Sequence, residues 1–114
     1  LTPKLIKDGL NTALETGAAV AALPVKDTIK LLDDDGAVKE TLPRHQLCIA
    51  QTPQIFRFHL LAQAYKELED EVTDDSTALE RLGYKVKLYL GDYNNIKVTT
   101  PEDLALAEII AQNI

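Results

Sequence analysis

Six consecutive apolar residues, Ala18 to Leu23, stand between Gly17 and Pro24. A strand with one wet face alternates apolar and polar side chains, whereas a strand covered on both faces has no need to. The run therefore fits a buried strand of a parallel sheet, which requires covering helices on either side. Helical signals flank it. Thr2 and Pro3 mark an N-cap and first helical position, and Ile6, Leu10, Ala13 and Leu14 form a stripe that stops at Gly17. Phe58, Leu61, Tyr65 and Leu68 recur at three- and four-residue steps, with Arg57, Gln63, Lys66, Glu67 and Glu69 on the other faces. The charge run Glu69-Asp70-Glu71 fits a solvated helix end. Side-chain acceptors from Val72 to Thr77 precede Ala78 to Leu82 and Gly83, a short capped helix. Val86, Leu88 and Leu90 alternate with Lys85, Lys87 and Tyr89 as in a half-exposed strand ending at Gly91-Asp92. Strands alternating with helices favour an α/β layered sheet over a bundle or sandwich.

Between Pro24 and Leu47 the pattern changes. Val25 to Leu32 and Ala37 to Leu42 are β-prone runs of mixed polarity, separated by Asp33-Asp34-Asp35-Gly36. An Asp-Gly turn in that setting predicts a hairpin, and a lone hairpin in water needs a surface to lie on, such as a second subunit. Pro43 to Gln46 break it, and Leu47 to Gln51 then form a strand leading into Thr52-Pro53-Gln54. Cys48, inside the apolar Leu47 to Ala50, is expected to be a buried small hydrophobe.

The end of the chain holds the candidate chemistry. Ile96 and Val98 alternate with Lys97 and Thr99 as a short strand would. Thr100 is placed as an N-cap, Pro101 as the first helical residue and Asp103 as the acidic member of a capping box. Leu106, Ala107, Ile110 and Ala111 give the following helix a face to bury. A lysine held on a strand beside a packed helix is either a solvated surface cation or one that meets a phosphate, and the residues alone leave both open. Asp74 and Asp75 fit helix capping better than metal ligation, and His45 and His59 have no obvious partner in the sequence. No phosphate-binding glycine-lysine loop, dinucleotide glycine fingerprint or zinc-spaced Cys/His set occurs.

Net charge narrows the partners. At −6 over 114 residues, with a pI near 4.8, a broad nucleic-acid or anionic-membrane surface is excluded, so an anionic ligand must meet a few local cations. Charges or prolines interrupt every apolar run before it could span a bilayer. One cysteine forms no internal disulfide, which suits a reducing compartment. The opening Leu1-Thr2-Pro3, in a chain with no methionine, reads as that of a fragment.

Four stretches, in order and spanning nearly the whole chain, carry a resemblance: Ala22-Leu23-Pro24-Val25-Lys26-Asp27-Thr28-Ile29-Lys30, Ala50-Gln51-Thr52-Pro53-Gln54-Ile55-Phe56, Val72-Thr73-Asp74-Asp75-Ser76, and Asn94 to Glu108. Together they resemble the carboxy-terminal half of the 2-C-methyl-D-erythritol 4-phosphate cytidylyltransferase family of non-mevalonate isoprene biosynthesis. The resemblance implies a Rossmann-like nucleotidyltransferase sheet, here truncated, in a single domain over residues 1–114. It makes residues 25–46 a protruding β-hairpin arm for homodimerisation. The implied reaction joins CTP and methylerythritol phosphate with release of pyrophosphate and with Mg²⁺ as cofactor. By motif, Lys97 would hold the substrate phosphate, and Arg44 would reach into the neighbouring subunit's site. Thr28, Thr52 and Thr73 would line the substrate pocket. The implied location is the cytoplasm, or the plastid stroma if the source is a plant or alga.

The family's glycine-rich CTP loop, with its Arg and Lys, and its acidic residue near the metal belong to the amino-terminal half and are absent here. A chain limited to these residues is therefore expected to be inactive alone, as a cleavage product or one part of a split enzyme. Two other readings accompany this one: the related ribitol 5-phosphate cytidylyltransferases, with a similar Thr-Pro-Gln segment, and a dimerisation fragment without activity.

Overall fold

A computed structural model describes residues 1–68 and 71–113. Helix α1 (Pro3–Thr16) starts where Thr2 accepts a hydrogen bond from the Leu5 amide and stops at Gly17, whose φ of 88° suits glycine. Strand β1 (Ala18–Pro24) follows, buried up to Leu23. Strands β2 (Lys30–Leu32) and β3 (Val38–Thr41) form the expected hairpin. Its turn is held by Asp33, whose carboxylate accepts from the amides of Asp35 and Ala37 at 3.0 Å each. A 3-10 turn (Arg44–Gln46) leads into β4 (Cys48–Phe56), then α2 (Phe58–Glu67), α3 (Asp75–Arg81), β5 (Lys87–Leu90) and α4 (Pro101–Gln112).

The main sheet has the order β4-β1-β5. β1 runs parallel to β5 and antiparallel to β4, so the expected parallel sheet is a mixed one. Helix α1 covers one face. Its buried residues are Leu5, Gly9 and Ala13, one turn apart. Of the stripe expected from the sequence only Ala13 is buried; Ile6, Leu10 and Leu14 are exposed, with Leu14 66% accessible. The physical reason is room: a Cβ on Gly9 would lie 2.5 Å from Ile55 Cδ1 and 2.6 Å from the Tyr89 hydroxyl, so only glycine lets the helix settle there. Tyr89 locks the contact by donating to the Leu5 carbonyl at 2.9 Å, and burial together with nearby Asp8 pushes its phenol pKa up. On the other face, Ala18, Ala64, Ala78 and Leu79 form a core cluster with Leu60, Leu61, Leu68, Val72 and Val86 against it. Fully burying side chains the size of Leu79 and Val20 contributes roughly 1.5–3 kcal/mol each.

Other expectations change in the same way. In α2 the packed residues are Leu60, Leu61 and Ala64, while Phe58 (86% accessible) and Tyr65 point outward. Of the alternating set expected here, Val86 packs against the core cluster, but Leu88 and Leu90 are exposed and Tyr89 turns toward α1. Cys48 is exposed rather than buried, because β4 there is a sheet edge. Residues 96–99 form no strand; they run irregularly because no described strand pairs with them. The α4 start is as expected, a full capping box between Thr100 and Asp103. Its apolar face, with Leu106, Ala107, Ile110 and Ala111, has no buried residue in this structure. The solvated helix end expected at Glu69-Asp70 falls outside the described residues.

Helix α3 is anchored by its cap. Asp74 accepts from the Thr77 amide at 3.0 Å and the Thr77 hydroxyl at 2.6 Å, from Ser76 Oγ at 3.2 Å and from Gln54 Nε2 at 3.0 Å. Partial burial opposes ionisation, but these donors together outweigh it and hold the carboxyl below its ordinary 3.8.

Two outcomes follow for stability. Gly9→Val should lower stability by about 1–3 kcal/mol through overpacking against Ile55 and Tyr89, read from the urea midpoint; an unchanged midpoint would contradict the close approach. Asp74→Ala should cost about 1 kcal/mol at pH 7 as a lost cap. A carboxyl with a depressed folded-state pKa stabilises above its unfolded value, and the benefit is lost as pH falls through the folded one. The gap between the unmodified protein and Asp74→Ala should therefore narrow progressively below about pH 3.8; a gap constant to pH 2 would sink the assignment.

Candidate functional site

A cleft of about 380 Å³ opens beside β4, lined by Ile49 to Thr52, Gln54, Asp74, Asn95, Ile96 and Lys97. Three elements meet there. β4 passes along one side, the turn ahead of α3 supplies Asp74, and the irregular stretch after β5 supplies Asn95 to Lys97.

The loop after β5 is positioned by backbone and side-chain bonds. The Gly91 amide donates to the Ala22 carbonyl at 2.9 Å, extending the β1–β5 ladder by one step. Gln51 then takes over. Its Nε2 donates to the carbonyls of Asp92 and Asn95 at 3.0 and 3.1 Å, and its Oε1 accepts from the Asp92 amide at 3.2 Å. Asn95 reciprocates by donating through Nδ2 to the Thr52 carbonyl. Gly91 leaves room for this carboxamide, since a Cβ there would displace Gln51 Oε1 from its present place. Lys26, at the foot of the hairpin, places its ammonium 4.5 Å from the centre of the Tyr93 ring, a further tie on the same loop. Three residues further along β4, Gln54 donates to Asp74 and accepts from the Ser76 amide at 3.2 Å. Gln51 and Gln54 thus each hold one loop of the cleft.

Of the residues singled out in the sequence, the structure brings Lys97 and Thr52 into this one cleft. Thr73 is exposed in the turn ahead of α3, next in the chain to Asp74 of the cleft wall. Thr28 and Arg44 are elsewhere. Thr28 is exposed just before β2. Arg44 sits in the 3-10 turn, donates through Nη1 to the Lys26 carbonyl at 2.6 Å, and lines a separate cavity of about 490 Å³ with Pro24, Leu47, Cys48 and Leu88. Both lie at the root of the hairpin. Asp74 does serve as a cap, as expected. The roles of Gln51 and Gln54 escaped sequence reasoning because neither is charged and their partners lie 20 to 44 residues away; their place around Thr52-Pro53 was the only local signal.

Among the described residues no helix is long and apolar enough to cross a membrane. The family model for 2-C-methyl-D-erythritol 4-phosphate cytidylyltransferase matches residues 1–113. A curated relative of that name from Dehalococcoides mccartyi is 47% identical over 110 residues, which cover 96% of this chain and 48% of the relative. Among solved structures, the 4-diphosphocytidyl-2C-methyl-D-erythritol synthase of Anaerococcus prevotii superposes with a TM-score of 0.88 at 36% identity, covering 97% of this chain and 53% of its own. The 2-C-methyl-D-erythritol 4-phosphate cytidylyltransferase of Thermus thermophilus gives 0.85 at 36%, over 98% and 56%. The chain spans about half the length of the curated relatives it matches. Matched along nearly all its residues by sequence and by shape, it belongs to the 2-C-methyl-D-erythritol 4-phosphate cytidylyltransferase family.

Proposed function

We propose that this chain is the sugar-phosphate-binding part of a cytidylyltransferase that joins CTP and 2-C-methyl-D-erythritol 4-phosphate. The observation that carries this reading is the cleft in which Lys97 and Thr52 meet, in a chain of this family. The four sequence motifs alone support placing it as the carboxy-terminal half of one truncated Rossmann-like domain. In the reaction an oxygen of the substrate phosphate forms a bond to the α-phosphorus of CTP, and the bond to the β-phosphate breaks, so pyrophosphate leaves. The protein's task is to fix the attacking phosphate and screen its charge. Lys97 supplies the cation, and the Thr52 and Thr73 hydroxyls, able to donate and accept, orient the phosphate and sugar.

The hairpin, residues 25–46, is the homodimer arm in this reading. Ile29, Leu31, Leu32 and Val38 on it are exposed apolar side chains without a core beneath them, which suits coverage by a second copy. Arg44 and Thr28 share its root, so both travel with the arm to the partner's cleft, where a guanidinium can grip a phosphate through two parallel hydrogen bonds. Homologues in bacteria suit a cytoplasmic enzyme.

The Mg²⁺ implied by the resemblance finds no site among the described residues. No group of three His, Cys, Asp or Glu side chains comes together, and the Asp74 carboxylate is taken up by Gln54, Ser76 and Thr77.

In the intact enzyme Lys97→Ala should reduce turnover roughly 10²–10³-fold with the unfolding midpoint unchanged; full activity would remove Lys97 from the site. Arg44→Ala should fall comparably, and heterodimers of the two variants should regain one working site of two. No recovery in verified heterodimers would count against sharing across the dimer. Pyrophosphate release should be faster with methylerythritol phosphate than with ribitol 5-phosphate, and the reverse order would replace the substrate assignment.

A further inference from the structure

We propose that Gln51 is the positioning residue of the cleft: its carboxamide clasps the loop 92–95 and thereby sets where Lys97 stands relative to Thr52. This rests on the reading of Lys97 as the phosphate-binding cation. The case begins with what Lys97 lacks. Residues 96–99 belong to no strand or helix; at their far end Thr99 donates to the Asp103 carboxylate at the start of α4, a helix with no buried residue, so the tie that holds them beside β4 comes through the chain immediately before. That chain leaves the sheet at Gly91 and makes one turn, closed by the Asn95 amide donating to the Asp92 carbonyl at 2.9 Å. Both ends of the turn are held by one side chain, since Gln51 donates to the Asp92 and Asn95 carbonyls and accepts from the Asp92 amide.

A carboxamide is the one side-chain group suited to this place. Two carbonyls need N–H donors and one amide needs an acceptor, all from a group extending from a strand. A glutamate offers acceptors only and would face two carbonyl oxygens. A methionine offers neither. The backbone supports the arrangement on both sides: Gly91 leaves space for Oε1, and the Asn95 side chain returns a bond to the Thr52 carbonyl, one residue beyond Gln51. Gln51 and Thr52 are adjacent on β4, so the same strand that presents the Thr52 hydroxyl also holds the loop carrying the cation.

The test uses the intact enzyme with Gln51→Glu and Gln51→Met beside Lys97→Ala. Both Gln51 variants should raise the KM for methylerythritol phosphate at least tenfold and leave the KM for CTP within twofold, with unfolding midpoints close to the unmodified enzyme. The Gln51→Glu defect, taken relative to the unmodified enzyme at each pH, should shrink on acidification as the carboxyl regains a proton to donate; that of Gln51→Met should not. Equal loss in both KM values, or a Gln51→Glu defect independent of pH, would overturn the positioning role. If Lys97→Ala is inactive while both Gln51 variants behave as unmodified enzyme, this inference alone fails. If Lys97→Ala retains full activity, the reading of the cleft fails with it. Hydrogen exchange in the unmodified enzyme decides the geometry even if the variants do not fold. The Asp92 amide should be protected at least tenfold over an open loop amide, and exchange at the open rate would show that Gln51 does not hold it.

Discussion

The close fit of α1 onto β1 is the constraint on which the rest depends. β1 is built almost wholly from alanine, with Val20 and Leu23 as its only larger buried members, and it is covered on both faces. Small side chains on the strand and Gly9 on the helix bring backbone to backbone, while Ile55 and Tyr89 from the two flanking strands fill the gap left by the missing Cβ. Since the ring of Tyr89 belongs to β5 and the side chain of Ile55 to β4, that single contact fixes both neighbours of β1 against the helix. Packed interiors tolerate little change in volume, so the register of the sheet is set here.

From that register the cleft follows. The β1–β5 ladder, continued by Gly91, delivers the chain to a turn beside β4, where Gln51 receives it. Three residues further along β4, Gln54 receives the turn ahead of α3 through Asp74 and Ser76. Thr52 lies between the two glutamines. An edge strand thereby becomes the wall of a concave site, with Lys97 on one loop and Thr52 on the strand between the two. The hairpin contributes no buried residue to this core; its strands pair with each other, and its apolar side chains Ile29, Leu31, Leu32 and Val38 are exposed.

Much of this was legible in the sequence wherever the cause is local. Thr2-Pro3 and Thr100-Pro101 with Asp103 start helices through bonds to amides three residues on, Gly17 stops one through its own φ, and Asp33 closes a turn four residues long. The unbroken apolar run of β1 announced a strand buried on both faces. Of the residues that the motifs singled out, Lys97 and Thr52 line one cleft, whereas Arg44 lines a separate cavity and Thr28 lies exposed just before β2.

What tertiary structure decided was direction. A helix such as α1 carries two adjacent apolar stripes, and only the bulk of Ile55 and Tyr89 chose the one with glycine over Ile6, Leu10 and Leu14. Likewise β5 could have turned Leu88 and Leu90 inward, but the place waiting under α1 fitted a tyrosine with a carbonyl in reach. The glutamines of the cleft gave no signal, because a neutral carboxamide acquires a role only when a distant loop brings it carbonyls and an amide. Periodicity and caps are properties of neighbouring residues, and the sequence by itself determined them; faces, registers and clasps depend on partners far along the chain, and only the packed fold could assign them.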